Sequence, residues 1–272
     1  MRMKAGSMGG CRRLGLLMAA ALMLPLGASA REMMHVHEVM DDLAYTNSTG
    51  FTMAYRLLKP HEPASGRKYP LVIFLHGAGE RGDNNYWQVT QCVPQLVAYM
   101  EKHGIEGYLL APQCPAEPVR RWVEKDWDAY AHRMDAEPSP AMAAVVDLVE
   151  GLFANCPIDR DQVLVCGISM GGYGTWELAM RHPDWFAAAM PCCSGGDTTE
   201  AWRIRELPVW AFHGEADGVV PVWRSRAMVS ALWALNGNIR YREYPGVGHN
   251  CWSATYNDEK VLDWFFSQRR RP

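Results

Sequence analysis

The run LVIFL at residues 71–75 limits the fold more than any other stretch. Five apolar residues in succession, with no polar alternation, suit a strand buried on both faces, and the run stops at His76-Gly77. Similar runs recur as YLLAP at 108–112, QVLVC at 162–166, FAAAMP at 186–191 and VWAFHG at 209–214. FTMAYRLLKP at 51–60 alternates like a half-buried strand, and IRYREYP at 239–245 reads as a further one. Helical spacing fills the intervals at 94–102, 141–153, 170–182 and 261–268, and TEAWRIRE at 199–206 and WRSRAMVSALWAL at 223–235 separate the last three strands. Strands alternating with helices imply βαβ units, hence an α/β fold with a mostly parallel central sheet flanked by helices. One long stretch, 113–140, is rich in Pro, Arg and Trp and is expected to form a rim, a lid or a solvated excursion. No internal repeat or second domain is visible.

The first thirty of the 272 residues read differently. Arg2, Lys4, Arg12 and Arg13 make a basic front, LGLLMAAALMLPL at 14–26 an apolar centre, and Ala28-Ser29-Ala30 a small-residue cleavage pattern. This predicts a signal peptide over 1–30, cleaved after Ala30, and a single catalytic domain over 31–272 in the periplasm or outside the cell. The apolar run is short for a bilayer span, so stable membrane insertion after cleavage is not expected. A net charge of −3 and scattered basic residues, apart from Arg269-Arg270-Arg271, argue against a nucleic-acid partner. Of eight cysteines, Cys92, Cys114, Cys156, Cys166, Cys192, Cys193 and Cys251 lie beyond the leader, an odd number without a Cys-x-x-Cys pair. No zinc ribbon is suggested, and no metal or organic cofactor is expected.

Reactive groups in a parallel α/β sheet gather at the carboxyl ends of the strands. Four features fall there. Gly167-Ile168-Ser169-Met170-Gly171 has the G-x-S-x-G form, strand before and helix after, that holds a nucleophilic serine on a sharp turn. The helix starting at Met170 would aim backbone N–H groups at an oxyanion. HGAGERG at 76–82 follows the strand LVIFL and can bring a second N–H, from Ala78 or else Gly79, while His76 orients that loop. Asp217 in HGEADGVVP is the candidate acid, with Asp197 in SGGD as competitor, and His213 is read as a buttress of the turn. His249 in YPGVGHNCW is the candidate base. The chain order Ser169, Asp217, His249 is that of α/β-hydrolases.

LVIFLHGAGERGD, LLAPQCP, GISMGGYGTWELAMRHPDWFAA, WAFHGEADGVVP and YPGVGHNCW together resemble secreted carboxylesterase-like α/β-hydrolases, a group near dienelactone hydrolase, prolyl-oligopeptidase catalytic domains and feruloyl or acetylxylan esterases. The resemblance runs over about 51–268 and implies a sheet of about eight strands with Ser169, not a cysteine, as nucleophile. The implied activity is ester hydrolysis through an acyl-enzyme, with Met170 and Ala78 forming the oxyanion hole. Expected substrates are small or polysaccharide-linked esters, feruloyl or acetyl groups of plant polysaccharides among them. Trp122, Trp127 and Trp252 are candidates for lining the acyl or sugar pocket. Two rivals stand beside the esterase: a serine peptidase of the prolyl-oligopeptidase type, and a silent binding protein on a hydrolase shell. With cleavage after Ala30, only about twenty residues precede Phe51, and the propeller that gates such peptidases is not expected. Cys192-Cys193 and Cys251 flank the site and are read either as a disulfide pinning the histidine loop or as untethered thiols.

Overall fold

Each apolar run becomes a strand of one eight-stranded sheet. The structure, a computed structural model, describes residues 28–116, 121–123 and 131–270. In chain order the strands are β1 (Asp41–Thr46), β2 (Thr52–Leu58), β3 (Tyr69–Leu75), β4 (Tyr108–Pro112), β5 (Ile158–Ile168), β6 (Ala188–Cys192), β7 (Val209–Gly214) and β8 (Ile239–Tyr244). The helices are α1 (Ala28–Val39), α2 (Val93–Lys102), α3 (Pro140–Asn155), α4 (Met170–Arg181), α5 (Trp223–Ala234), α6 (Trp252–Tyr256) and α7 (Glu259–Ser267). Spatial order across the sheet is β1-β2-β4-β3-β5-β6-β7-β8. β2 pairs antiparallel with β1 and β4, and all pairings from β4 to β8 are parallel. This is the expected α/β-hydrolase architecture.

The period of two divides each strand between two cores. Leu71, Ile73 and Leu75 of β3 and Val163 and Val165 of β5 face α3, α4 and α5, where Val145, Tyr173, Leu178, Met228 and Leu232 meet them. Val72 and Phe74, with Leu164, Cys166 and Ile168, face α1, α2 and α7 through Val36, Leu96, Met100, Val261 and Phe265. Both faces are covered, which is why these runs show no polar alternation. Ser139 starts α3: its hydroxyl accepts the Met142 N–H at 3.0 Å, and Pro140 takes the first helical position.

Several elements go beyond the sequence reading, α1 among them. β1 was not expected, because DDLAYT has no apolar run; it survives as an edge strand in register with β2. The hairpin between them turns on Asn47, whose side-chain oxygen accepts the N–H groups of Thr49 and Phe51, with Gly50 at φ 84°. α6 is a short additional helix after the histidine loop, and TEAWRIRE yields only a 3-10 turn, Ala201–Ile204. Among the described residues no helix is long and apolar enough to cross a membrane.

Candidate active site

Ser169 sits between β5 and α4 with φ 52° and ψ −119°, a conformation that a residue with a Cβ enters at a cost of about 1–3 kcal/mol. What permits the turn is the absence of side chains around it. A Cβ on Gly171 would lie 1.8 Å from the Leu75 carbonyl oxygen, and one on Gly167 would lie 2.4 Å from the Gly171 carbonyl oxygen. The Ser169 N–H donates to the Cys192 carbonyl at 3.0 Å, which anchors the elbow to the end of β6. The serine hydroxyl is thus lifted to the carboxyl edge of the sheet at the first turn of α4.

Two loops at that edge supply its partners. After β8, the loop carrying His249 is stitched to the loop after β7 by Glu215 N–H to the Tyr244 carbonyl at 3.0 Å and Ala216 N–H to the Val247 carbonyl at 2.9 Å. The two chains come so close at Gly214 that a Cβ there would stand 2.2 Å from the Gly248 carbonyl oxygen. Gly246, at φ 68°, makes the turn between β8 and His249. His249 Nδ1 lies 2.7 Å from Asp217 Oδ2, and its Nε2 lies 2.9 Å from Ser169 Oγ. A carboxylate only accepts, so Nδ1 carries the proton and Nε2 is left to accept from the serine.

Asp217 is held from every side. Its Oδ1 accepts the N–H groups of Val219 at 2.8 Å and Val220 at 2.9 Å, and Oδ2 receives His213 Nε2 at 3.1 Å as well as His249. Burial pushes the carboxyl upward, but the hydrogen bonds from His213, His249, Val219 and Val220 outweigh it and hold the group well below the usual carboxylate range. The site therefore contains a fixed negative charge behind His249. His213 was read from the sequence as a turn buttress only; the HGEAD spacing, with histidine and aspartate four apart, is the signal that could have revealed its contact with Asp217.

The loop after β3 reaches the same place. Leu75 is in register with Gly167, and a Cβ on Gly77 would stand 3.7 Å from Ile168, so residues 76–80 pack against the elbow. Ala78 opens a 3-10 turn, Ala78–Glu80, and Met170 is the first residue of α4. His76 is fully buried, with Nε2 accepting the Cys114 N–H at 2.9 Å and Nδ1 donating to the Gly77 carbonyl at 2.6 Å. That pairing fixes a neutral tautomer, and burial lowers its pKa to about 4.

The tryptophan candidates separate. Trp252 stands edge-on to His249 at 5.3 Å between ring centres and donates from Nε1 to Gln91 Oε1 at 3.3 Å, so it borders the site. Trp122 does not line a pocket: it is fully buried, packs on Gly174, and gives its Nε1–H to the His76 carbonyl at 3.0 Å. Its indole N–H is used to hold the loop beneath the elbow, which corrects the expectation of a substrate contact. Trp127 lies outside the described residues. Asp197, the competing acid, is turned away from His249 and accepts from Met134 N–H at 2.9 Å and from Thr199, pinning the chain at 131–134 to the loop after β6.

All seven cysteines among the described residues are free thiols, so no disulfide pins the histidine loop. Burial raises the thiols of Cys192 and Cys193, whereas Cys251 is lowered by hydrogen bonds from those two side chains. Ligand-type atoms of Cys193, Asp217 and His249 lie within 4.8 Å of one another, but the aspartate and histidine are engaged with each other, and none is assigned as a metal ligand.

Residues 61–260 match the phospholipase/carboxylesterase family. The chain is 25% identical over 197 residues to a probable carboxylesterase of Oryza sativa subsp. japonica, covering 68% of this chain and 83% of that protein. It is 39% identical over 221 residues to acyl-protein thioesterase 1 of Gibberella zeae, covering 69% of this chain and 86% of that one. Among solved structures, a thermostable esterase shares 36% identity at a TM-score of 0.75, over 87% of this chain and 64% of that chain, so the match spans somewhat under two thirds of its length.

Proposed function

Since the chain belongs to the phospholipase/carboxylesterase family and is a hydrolase acting on esters, we propose that Ser169, His249 and Asp217 perform that hydrolysis as a catalytic triad. The observation that carries the reading is the unbroken line from Ser169 Oγ through His249 to Asp217, at 2.9 and 2.7 Å. His249 Nε2 takes the hydroxyl proton as Oγ bonds to the ester carbonyl carbon, and Asp217 holds the resulting imidazolium. The negative oxygen of the tetrahedral intermediate is received by the N–H groups of Met170 and Ala78; the first-turn N–H of a helix has no intrahelical acceptor to compete. His249 returns the proton to the departing alcohol and the acyl group stays on Oγ. Water then attacks, giving its proton to His249, and the acid leaves as Oγ regains a proton.

We further infer that the substrates are small or polysaccharide-linked esters of acetyl or aryl acyl groups such as feruloyl. The half-exposed indole edge of Trp252 beside His249 supports an aryl acyl group there. The basic and apolar pattern before Ala30 supports export, in which case the mature chain from the periplasm or medium begins at Arg31. Purified enzyme assayed on acetyl, feruloyl, long-chain acyl and peptide substrates tests the reading. Ester turnover should fall by about 10⁴-fold or more in Ser169→Ala; comparable cleavage of peptide bonds would favour a peptidase, and undiminished turnover in the variant would remove the triad.

A further inference from the structure

Six large apolar side chains stay exposed among the described residues, and two of them, Tyr86 at 43% and Trp87 at 51%, are neighbours in one loop. Their rings meet at 5.0 Å and 87°, which makes an open aromatic corner, and Tyr86 is stacked on His37 of α1 at 4.3 Å. Single exposed apolar residues are ordinary, but a paired aromatic surface calls for an occupant.

The chain beneath this corner is fixed by polar side chains. Asn84 Oδ1 accepts the N–H groups of Tyr86 at 2.9 Å and Trp87 at 3.4 Å, and also Gln113 Nε2 at 3.0 Å. Asn85 is buried at φ 53°; its N–H goes to Gln113 Oε1 at 2.8 Å and its side-chain amide to the Leu43 and Tyr55 carbonyls at 3.1 and 3.0 Å. A left-handed asparagine under an exposed loop is strain retained for the orientation it gives. Thr90 closes on the Trp87 carbonyl with its N–H at 3.0 Å and its hydroxyl at 2.7 Å.

The same segment is joined to the reacting centre at both ends. Gln113 Nε2 also reaches the Glu80 carbonyl at 3.0 Å, in the loop that offers Ala78. Gln91 Oε1 receives Trp252 Nε1 at 3.3 Å, and Trp252 borders His249. From Trp87 to Gln91 is at most about 14 Å of extended chain, and less here, because Trp87–Val89 is a 3-10 turn. The corner therefore stands on the rim of the site.

We propose that Tyr86 and Trp87 form a saccharide subsite, which holds a pyranose ring on the alcohol side of the ester while the acyl carbon lies at Ser169. The inference rests on the reading of the protein as a hydrolase of polysaccharide-linked esters. The C–H face of a pyranose is apolar and faintly positive, and it matches the electron-rich face of an indole. Its hydroxyls lie at the ring edge, where the exposed Asp83 and Asn84 offer a carboxylate and an amide. An anionic lipid surface would instead meet the Asp83 charge. Because the loop is already rigid, little freedom is lost on binding and the contact is expressed as affinity.

Two measurements test the subsite. In full-length Ser169→Ala protein titrated with xylo- and cello-oligosaccharides, one tryptophan indole N–H resonance should shift, the one missing when Trp87→Ala is added. No shift, or a shift only in a resonance that survives Trp87→Ala, would overturn the proposal, whether or not the protein hydrolyses esters. A Trp87 resonance moved by phosphatidylcholine–phosphatidylglycerol vesicles and by no sugar would also overturn it, in favour of a membrane contact. In the active enzyme, the ratio of kcat/KM on acetylated xylo-oligosaccharide to that on phenyl acetate should fall about tenfold in Trp87→Ala. The ratio should hold in Trp202→Ala, which removes an indole 58% exposed on the turn after β6. An unmoved ratio in Trp87→Ala, or an equal fall in Trp202→Ala, would refute the subsite. A wild-type enzyme inactive on every ester and unlabelled at Ser169 would instead remove the triad reading, and the sugar titration would still decide what Trp87 binds.

Discussion

At the scale of the residue, the site is defined as much by missing side chains as by reactive ones. Ser169 is strained, and its neighbours tolerate no added atom: the Cβ of an alanine at 171 would overlap a main-chain carbonyl, which cannot swing aside. Gly171→Ala should therefore cost at least about 3 kcal/mol in folding free energy, or prevent folding. Gly79, in the facing loop, has open space where a Cβ would go and is exposed. Gly79→Ala should stay within about 0.5 kcal/mol of wild type, and it retains the backbone N–H that the loop offers. Denaturant titration of the two variants checks both statements; equal destabilisation would contradict the assigned geometry.

At the scale of the element, most of the chain was legible because both faces of the sheet are covered. β3, β4 and β7 fall on the apolar runs with little or no slippage, since a strand buried on both faces must be apolar at every position. β1 was hidden for the opposite reason: as an exposed edge it needs only hydrogen-bonding partners, which β2 provides. The site was legible where chemistry demands a spacing, as at G-x-S-x-G, and where chain order places loops on adjacent strands. It was less legible where a residue acts through a third party. Trp122 looked like a pocket aromatic, but an indole N–H finds its partner only in space, and here that partner is the His76 carbonyl. His213 belongs to the same class, since its contact with Ser225 joins β7 to a helix twelve residues on.

At the scale of the whole molecule, acid should weaken the fold in two separate windows. Burial lowers His76 to about 4, so above pH 6.5 it is neutral in both folded and unfolded chains and adds no pH dependence of its own there. As pH falls from 6.5 to 4 the unfolded chain takes up a proton that the folded one refuses, and stability declines by up to about 3 kcal/mol. Asp217 acts lower. Its depressed carboxyl contributes fully above the ordinary carboxylate range, and that contribution is lost only as pH falls below about 4 toward the folded value. Urea midpoints between pH 7 and 4 should thus fall in wild type and flatten in His76→Gln; the same slope in both would exclude His76 as the titrating group. Sheet, cores and loops converge on one oxygen, Ser169 Oγ, and its chemistry can be measured directly. Stoichiometric treatment with a fluorophosphonate, followed by peptide mass mapping, should give one adduct per chain, on Ser169, with ester turnover lost in proportion to labelling. Turnover that persists in fully labelled protein, or an adduct mapped to another residue, would contradict the triad.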